Sequence, residues 1–235
     1  FEAIDHRVDA RVAVKRLWHA DPDAILRFKR EFRVRQDIEH PNLVHVGELL
    51  EVDGEWLLTM ELIVGTPWLR YVRRDPRRLA STARQVAEAL AALHDADLIH
   101  CDVKPSNVLV TRDGRAVLLD LGLVAGRASA LDAGGSTAMG TAWYMAPEQA
   151  VGAPFGPAAD LYALGACLYE GIAGRAPFEG EPLTVIFKKL NEEPERPSSL
   201  APFDCAELER ICLSLLQREP EDRPTLRSDA RAPTE

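Results

Sequence analysis

Four short stretches of this chain hold side chains that could do chemistry together. Lys15 closes the run Val12-Ala13-Val14-Lys15. The stretch His100-Cys101-Asp102-Val103-Lys104-Pro105-Ser106-Asn107 crowds a carboxylate, an ammonium and an amide into one loop-like segment. Asp120-Leu121-Gly122 and Ala146-Pro147-Glu148 follow. Oxygen donors such as those of Asn107 and Asp120 are of the kind that suits a hard cation. Taken singly, each stretch has a plainer reading. A lysine on a half-buried strand is ordinarily solvated, and Asp, Asn and Pro favour turns. Turn chemistry does not, however, ask for a lysine two residues after an aspartate, and Lys104 stands there.

The elements around these stretches are legible from periodicity. Residues 11–17 alternate apolar and charged, as a half-buried strand does. Asp21-Pro22-Asp23 offers a helix start, with a charged helix expected over about 24–38, ended by Pro41. Strands are expected over 43–52 and 56–63, joined by the hairpin signal Asp53-Gly54. Beyond Gly65 the pattern turns helical. Leu79, Val86, Leu90 and Leu93 fall at helical spacing, 161–172 is apolar almost all round, and further helices are expected over 183–190 and 206–217. Short strands are expected at 108–110 and 116–119, around Asp113-Gly114. Residues 124–140, rich in Gly, Ala, Ser and Thr, read as a loop.

Composition sets the outer limits. The 235 residues are 46% hydrophobic and 28% charged, which is globular rather than disordered. The net charge of −9 is a poor basis for holding nucleic acid. Cys101, Cys167, Cys205 and Cys212 form no CxxC pair, which fits a reducing, cytoplasmic setting. No apolar run is long enough to span a membrane.

The four stretches in this order resemble the signature set of eukaryotic-type protein kinases, including the bacterial serine/threonine kinases of that type. The intervals agree as well: 18 residues from Asp102 to Asp120, 10 from Glu31 to Pro41 and 12 from Glu148 to Asp160. The resemblance runs from Val12 to Asp222-Arg223-Pro224-Thr225. It implies a bilobal α+β fold: a small antiparallel sheet lobe with one key helix over 1–63, and a larger, mostly helical lobe over 64–235. It implies transfer of the γ-phosphoryl group of ATP to serine or threonine hydroxyls of proteins, with Mg2+ as the metal and Mn2+ as the alternative. Partner domains of the same protein are expected; nucleic acid is not.

The same resemblance assigns roles. Lys15 would meet the α- and β-phosphates, held by Glu31. Asp102 would orient the substrate hydroxyl, Lys104 would contact the transferring phosphoryl group, and Thr141 would steady both. Asn107 and Asp120 would hold the metal. Ala13 and Leu109 would sandwich adenine, Met60 would line the back of its pocket, and Glu61 and Ile63 would offer backbone hydrogen bonds. Glu148 would pair with Arg223, and Asp160 would anchor the catalytic loop through backbone amides. His100 reads as a packed core histidine, and His6, His19, His40, His45 and His94 as histidines without a special role.

Three departures qualify the match. The glycine-rich phosphate loop is expected upstream of Phe1, with Phe1-Glu2-Ala3 as the strand leaving it. Cys101 stands where many family members have an arginine that receives an activation-loop phosphate, so activity is expected not to depend strongly on phosphorylation of Ser129, Ser136 or Thr137. Arg35 puts a charge where an apolar side chain is usual. A pseudokinase or scaffold domain is the alternative reading.

Overall fold

Alternating strands build the first layer. The computed structural model describes residues 1–7, 9–17, 29, 32, 38–119, 125–126, 142–200 and 205–226. In it β1 (Glu2–Asp5), β2 (Ala10–Leu17), β3 (Val46–Val52) and β4 (Glu55–Glu61) form an antiparallel sheet in the order β1-β2-β4-β3. Asp53 and Gly54 both adopt positive φ, 52° and 79°, the two-residue turn whose twist matches the flanking strands. The opening strand expected at Phe1-Glu2-Ala3 is present as β1. The helix expected over 24–38 and the loop over 124–140 lie almost wholly outside the described residues, as do Glu31, Arg35, Asp120, Ser129, Ser136, Thr137 and Thr141.

One expected strand divides. The apolar run from 43 reads as continuous with β3, yet β3 begins at Val46. Leu43 instead bridges in parallel to Leu118, with Val44 N–H donating to the Leu118 carbonyl (3.0 Å) and Leu118 N–H to the Asn42 carbonyl (2.8 Å). The buried Asn42 side chain adds bonds to the Ala116 carbonyl (2.7 Å) and Gln85 Oε1 (2.8 Å). An apolar pattern reports burial but not which strand supplies the partner. Here the partner is the strand pair around Leu118 in the second half of the chain, and these bonds tie it to the segment ahead of β3.

That lobe is helical because its patterns are. After β5 (Gly65–Pro67) comes α1 (Trp68–Val72), then α2 (Pro76–Asp95). Asp75 caps α2, its carboxylate accepting from Arg77 N–H (2.9 Å) and Arg78 N–H (3.3 Å), with Pro76 in the first turn. The strands β6 (Leu98–Ile99), β7 (Val108–Thr111), β8 (Ala116–Leu118) and β9 (Ala125–Gly126) make two small antiparallel sheets, β5-β7-β8 and β6-β9. The short helix α3 (Pro147–Ala150) leads to α4 (Pro157–Ala173), then α5 (Pro182–Asn191), α6 (Pro197–Leu200) and α7 (Ala206–Leu215).

The all-round apolar character of α4 puts it at the centre, where Leu161, Tyr162, Leu164, Leu168, Tyr169 and Ile172 are all buried. Gly165 lets α7 approach it: a Cβ there would sit 2.8 Å from Leu215 Cβ. Together these elements give the bilobal α+β architecture expected from the sequence.

Candidate active site

The segment after β6 starts with an unusual backbone. Cys101 has φ of +64°, in the left-handed region that costs a non-glycine residue about 1–2 kcal/mol. The compensation comes from Asp160 in α4, whose carboxylate is 1% exposed. Its Oδ2 accepts from His100 N–H (2.8 Å) and its Oδ1 from Cys101 N–H (2.8 Å). A third bond comes from His94 Nε2, 2.8 Å from Oδ2, near the end of α2. Three donors on one buried carboxylate hold the turn in its strained form.

The expectation for Asp160 therefore matches its placement. The expectation that His94 has no special role does not: its ring braces the residue that braces the loop. Its place six residues before His100, near the end of the amphipathic helix, was the available signal. Asp160→Ala is expected to cost roughly 2–5 kcal/mol, because buried N–H donors lose their acceptor. Phosphoryl transfer should fall further than nucleotide affinity; a thermal melt and a nucleotide titration check the two halves.

His100 is fully buried and tautomerically defined. Its Nδ1 accepts from Asp102 N–H (3.3 Å), so Nε2 carries the proton and donates to the Leu119 carbonyl (2.9 Å). It is a packed structural histidine, as expected.

The turn delivers Asp102 into a cluster of donors. Lys104 Nζ lies 2.7 Å from Asp102 Oδ2 and 3.0 Å from Oδ1. Asn107 Nδ2 donates to Asp102 Oδ2 (2.9 Å) and to the Asp102 carbonyl (2.8 Å). Pro105–Asn107 form one 3-10 turn that folds the two side chains back onto the aspartate. Because the Asn107 amide nitrogen is committed to Asp102, its carbonyl oxygen is the atom it can offer to a ligand. A backbone bond from Leu119 N–H to the Asn107 carbonyl (2.7 Å) fixes the strand leading to position 120 against this loop.

A second group of the expected residues lies on the sheet. Ala13 stands opposite Met60 and Lys15 opposite Leu58, so these four side chains share one face. Ala13, Lys15 and Met60 are all half-buried. Leu109, in β7, and Ile63, just past β4, are half-buried too. Glu61 N–H donates to the His45 carbonyl (2.9 Å), so a contact from the Glu61 backbone to an adenine edge must use its carbonyl. The Glu61 side chain pairs with Arg115 Nη2 (2.6 Å), across from one lobe to the other. Asp102, Lys104 and Asn107 are thus joined directly, and Ala13, Lys15 and Met60 form a second group on the other lobe. Glu31, Asp120 and Thr141 lie outside the described residues.

Behind the site the expected Glu148–Arg223 pair is formed and buried, with Arg223 Nη1 2.6 Å from Glu148 Oε1 and Nη2 2.8 Å from Oε2. One buried ion went unread in the sequence. Lys189 in α5 is 2% exposed, and burial pulls its ammonium from the usual lysine range down to about 7, against the opposing attraction of Glu148.

Known proteins resemble this chain over most of its length. The chain matches the protein kinase domain family over residues 1–233. It is 39% identical over 211 residues to the serine/threonine-protein kinase PknA of Mycobacterium tuberculosis strain H37Rv, covering 83% of this chain and 48% of that protein. It is 39% identical over 225 residues to the serine/threonine-protein kinase PkaA of Streptomyces coelicolor, covering 90% and 40%. It is 34% identical over 250 residues to the probable serine/threonine-protein kinase PknB of Corynebacterium glutamicum, covering 99% and 39%. The chain spans about half or less of the length of these relatives. The match over nearly the whole chain means that it belongs to the protein kinase domain family.

Proposed function

We propose that the protein containing this chain transfers the γ-phosphoryl group of ATP to serine or threonine hydroxyls of other proteins. The observation that carries this reading is the Asp102 cluster, with Lys104 at 2.7 Å and Asn107 at 2.9 Å on a loop anchored by Asp160. Phosphoryl transfer asks the protein for position and charge more than for covalent chemistry. Asp102 accepts a hydrogen bond from the substrate hydroxyl and aims its oxygen lone pair at phosphorus. Lys104, already on Asp102, is within reach of the phosphoryl oxygens and neutralises charge there. Lys15 meets the α- and β-phosphates, and the spacing to Pro41 selects Glu31 to hold it. Thr141 steadies Asp102 and Lys104.

The carbonyl oxygen left to Asn107 fits a hard divalent cation, and the Asp120 carboxylate completes the donor set that the motif supplies. We take the metal to be Mg2+, with Mn2+ as a substitute; Asn107 and Asp120 would hold it, and it would supply positive charge to offset that of the phosphates. Adenine fits between Ala13 and Leu109, against Met60. Its amino group suits the Glu61 carbonyl, and its ring nitrogen suits the Ile63 N–H.

Among the described residues no helix is long and apolar enough to cross a membrane. The four cysteines are free thiols, which supports a reducing, cytoplasmic setting for this domain. The length of the relatives beyond the matched region supports partner domains in the same protein. Incubation of the full-length protein with γ-labelled ATP and a generic protein substrate tests the reading. Label should enter the protein and stop doing so when EDTA removes the metal; a folded, nucleotide-binding protein that transfers nothing would favour a scaffold.

A further inference from the structure

Among the described residues, Lys189 is a buried lysine that no catalytic motif accounts for. Its helix, α5, does not bury the face its apolar residues suggest. Leu183 and Phe187 are 81% and 62% exposed, while Val185 and Lys189, one turn apart, point inward. The ammonium lies against a single target. Nζ donates to the carbonyls of Ala142 (2.8 Å), Trp143 (2.9 Å) and Met145 (2.6 Å).

A lysine ammonium has three N–H donors and no acceptor, so these carbonyls use all of its capacity. The carboxylate whose charge acts on Lys189, Glu148, is held in a two-bonded pair by Arg223. Among the described residues no carboxylate forms an ion pair with Lys189. Lys189 Nζ and Arg223 both lie over the Tyr162 ring, 5.1 Å and 5.0 Å from its centroid. Arg218 meets Lys189 at its backbone carbonyl, through Nε at 3.3 Å, and its Nη2 turns to the Glu192 carbonyl (3.4 Å) and Glu193 Oε1 (3.4 Å).

A charge buried without a counter-ion is costly, and a neutral side chain would fill the space more cheaply. What the ammonium supplies is the convergence of three backbone carbonyls on one point, which fixes the shape of the turn at 142–145. That turn has a second fixed end, where Ala146 N–H donates to Gln149 Oε1 (3.0 Å) and Glu148 joins Arg223. It lies between Thr141 and Ala146-Pro147-Glu148, and that stretch with the loop before it resembles the peptide-docking arrangement of protein kinases.

We propose that Lys189 is a positioning residue for protein substrate: its ammonium, on three carbonyls, holds the 142–145 turn in the form that receives the polypeptide around the phosphorylated hydroxyl. This rests on the kinase reading above. Lys189 touches neither ATP nor the reacting atoms, so its removal should separate peptide recognition from nucleotide handling.

The test compares the full-length wild-type protein with Lys189→Met and Lys189→Gln, using a peptide that the wild type selects from a degenerate serine/threonine library. Peptide KM should rise roughly tenfold or more in the methionine variant. It should rise less in the glutamine variant, which keeps two N–H donors. KM for ATP and the slow hydrolysis of ATP without peptide should stay within about twofold, since neither uses the turn. If the methionine variant does not fold, the glutamine variant decides by the same ratio of the two KM values. Unchanged peptide KM in a folded variant overturns the proposal, and so does a parallel loss of peptide and ATP parameters. A wild type that phosphorylates no peptide from the library overturns the kinase reading itself, a result that cannot be confused with the other two.

Discussion

Asp102→Asn is expected to lower kcat for peptide phosphorylation by roughly 10²–10⁴-fold, the range typical for loss of a positioned proton acceptor. The substitution keeps the size of the side chain and removes its charge. Lys104 Nζ, 2.7 Å from Oδ2, then loses its ion-pair partner, and the donor Asn107 Nδ2, 2.9 Å from the same oxygen, faces an amide in place of a carboxylate. The amide can present one acceptor where the carboxylate presents two, so the lysine, the asparagine and the substrate hydroxyl compete for it. Nucleotide affinity should change little, because the adenine and phosphate contacts assigned to Ala13, Lys15, Met60 and Glu61 belong to the other lobe. Steady-state kinetics and a nucleotide titration on the same preparation check both statements. Retention of more than about a tenth of wild-type kcat would remove Asp102 from the reaction.

The second large effect is on stability. Arg223 uses all five of its N–H donors: Nε on the Gln217 carbonyl (2.8 Å), Nη1 on Glu148 and the Ala158 carbonyl (2.9 Å), and Nη2 on Glu148 and the Arg218 carbonyl (2.7 Å). Its side chain is fully buried and that of Glu148 is 8% exposed. Arg223→Ala leaves a buried carboxylate without its partner and three carbonyls without donors. The expected cost is about 3–5 kcal/mol, a fall in Tm of roughly 6–20 °C for a domain of this size. Arg223→Lys should restore little of it, since an ammonium has three donors and cannot form the two-pronged bond to Glu148. Differential scanning calorimetry of the two variants checks this. A drop of less than about 2 °C in the alanine variant would mean that the pair contributes no net stability.

The sequence was most informative where one residue type has one workable arrangement. Asp102-x-Lys-Pro-x-Asn could be read because the short 3-10 turn at Pro105–Asn107 leaves the lysine and the asparagine little choice but to face the aspartate. The Asp160 anchor and the Glu148–Arg223 pair were legible through the resemblance to protein kinases, which matched their motifs in register. The central helix announced itself by being apolar on every side. Partner choice was harder to see. Leu43 and Val44 look like the start of β3, yet they bond to Leu118 in the second half of the chain, because hydrophobicity marks a residue as buried without naming what buries it.

Lys189 illustrates the deeper limit. On α5 the pattern favours Leu183 and Phe187 as the inward face, and a lysine is read as solvated by default. Its burial follows from three unpaired carbonyls in a turn more than forty residues away, which no local pattern encodes. His94 escaped for the same reason: its partner, Asp160, is distant in sequence.

The central claim is that this domain phosphorylates serine and threonine in proteins. Its most direct test is phosphoamino-acid analysis of a mixed protein substrate after reaction of the full-length wild-type protein with γ-labelled ATP and Mg2+. The account predicts label on phosphoserine and phosphothreonine and none on phosphotyrosine, with no label when the Asp102→Asn variant replaces the wild type. Label confined to phosphotyrosine, to a small molecule or to free phosphate, or equal labelling by the Asp102→Asn variant, would contradict it.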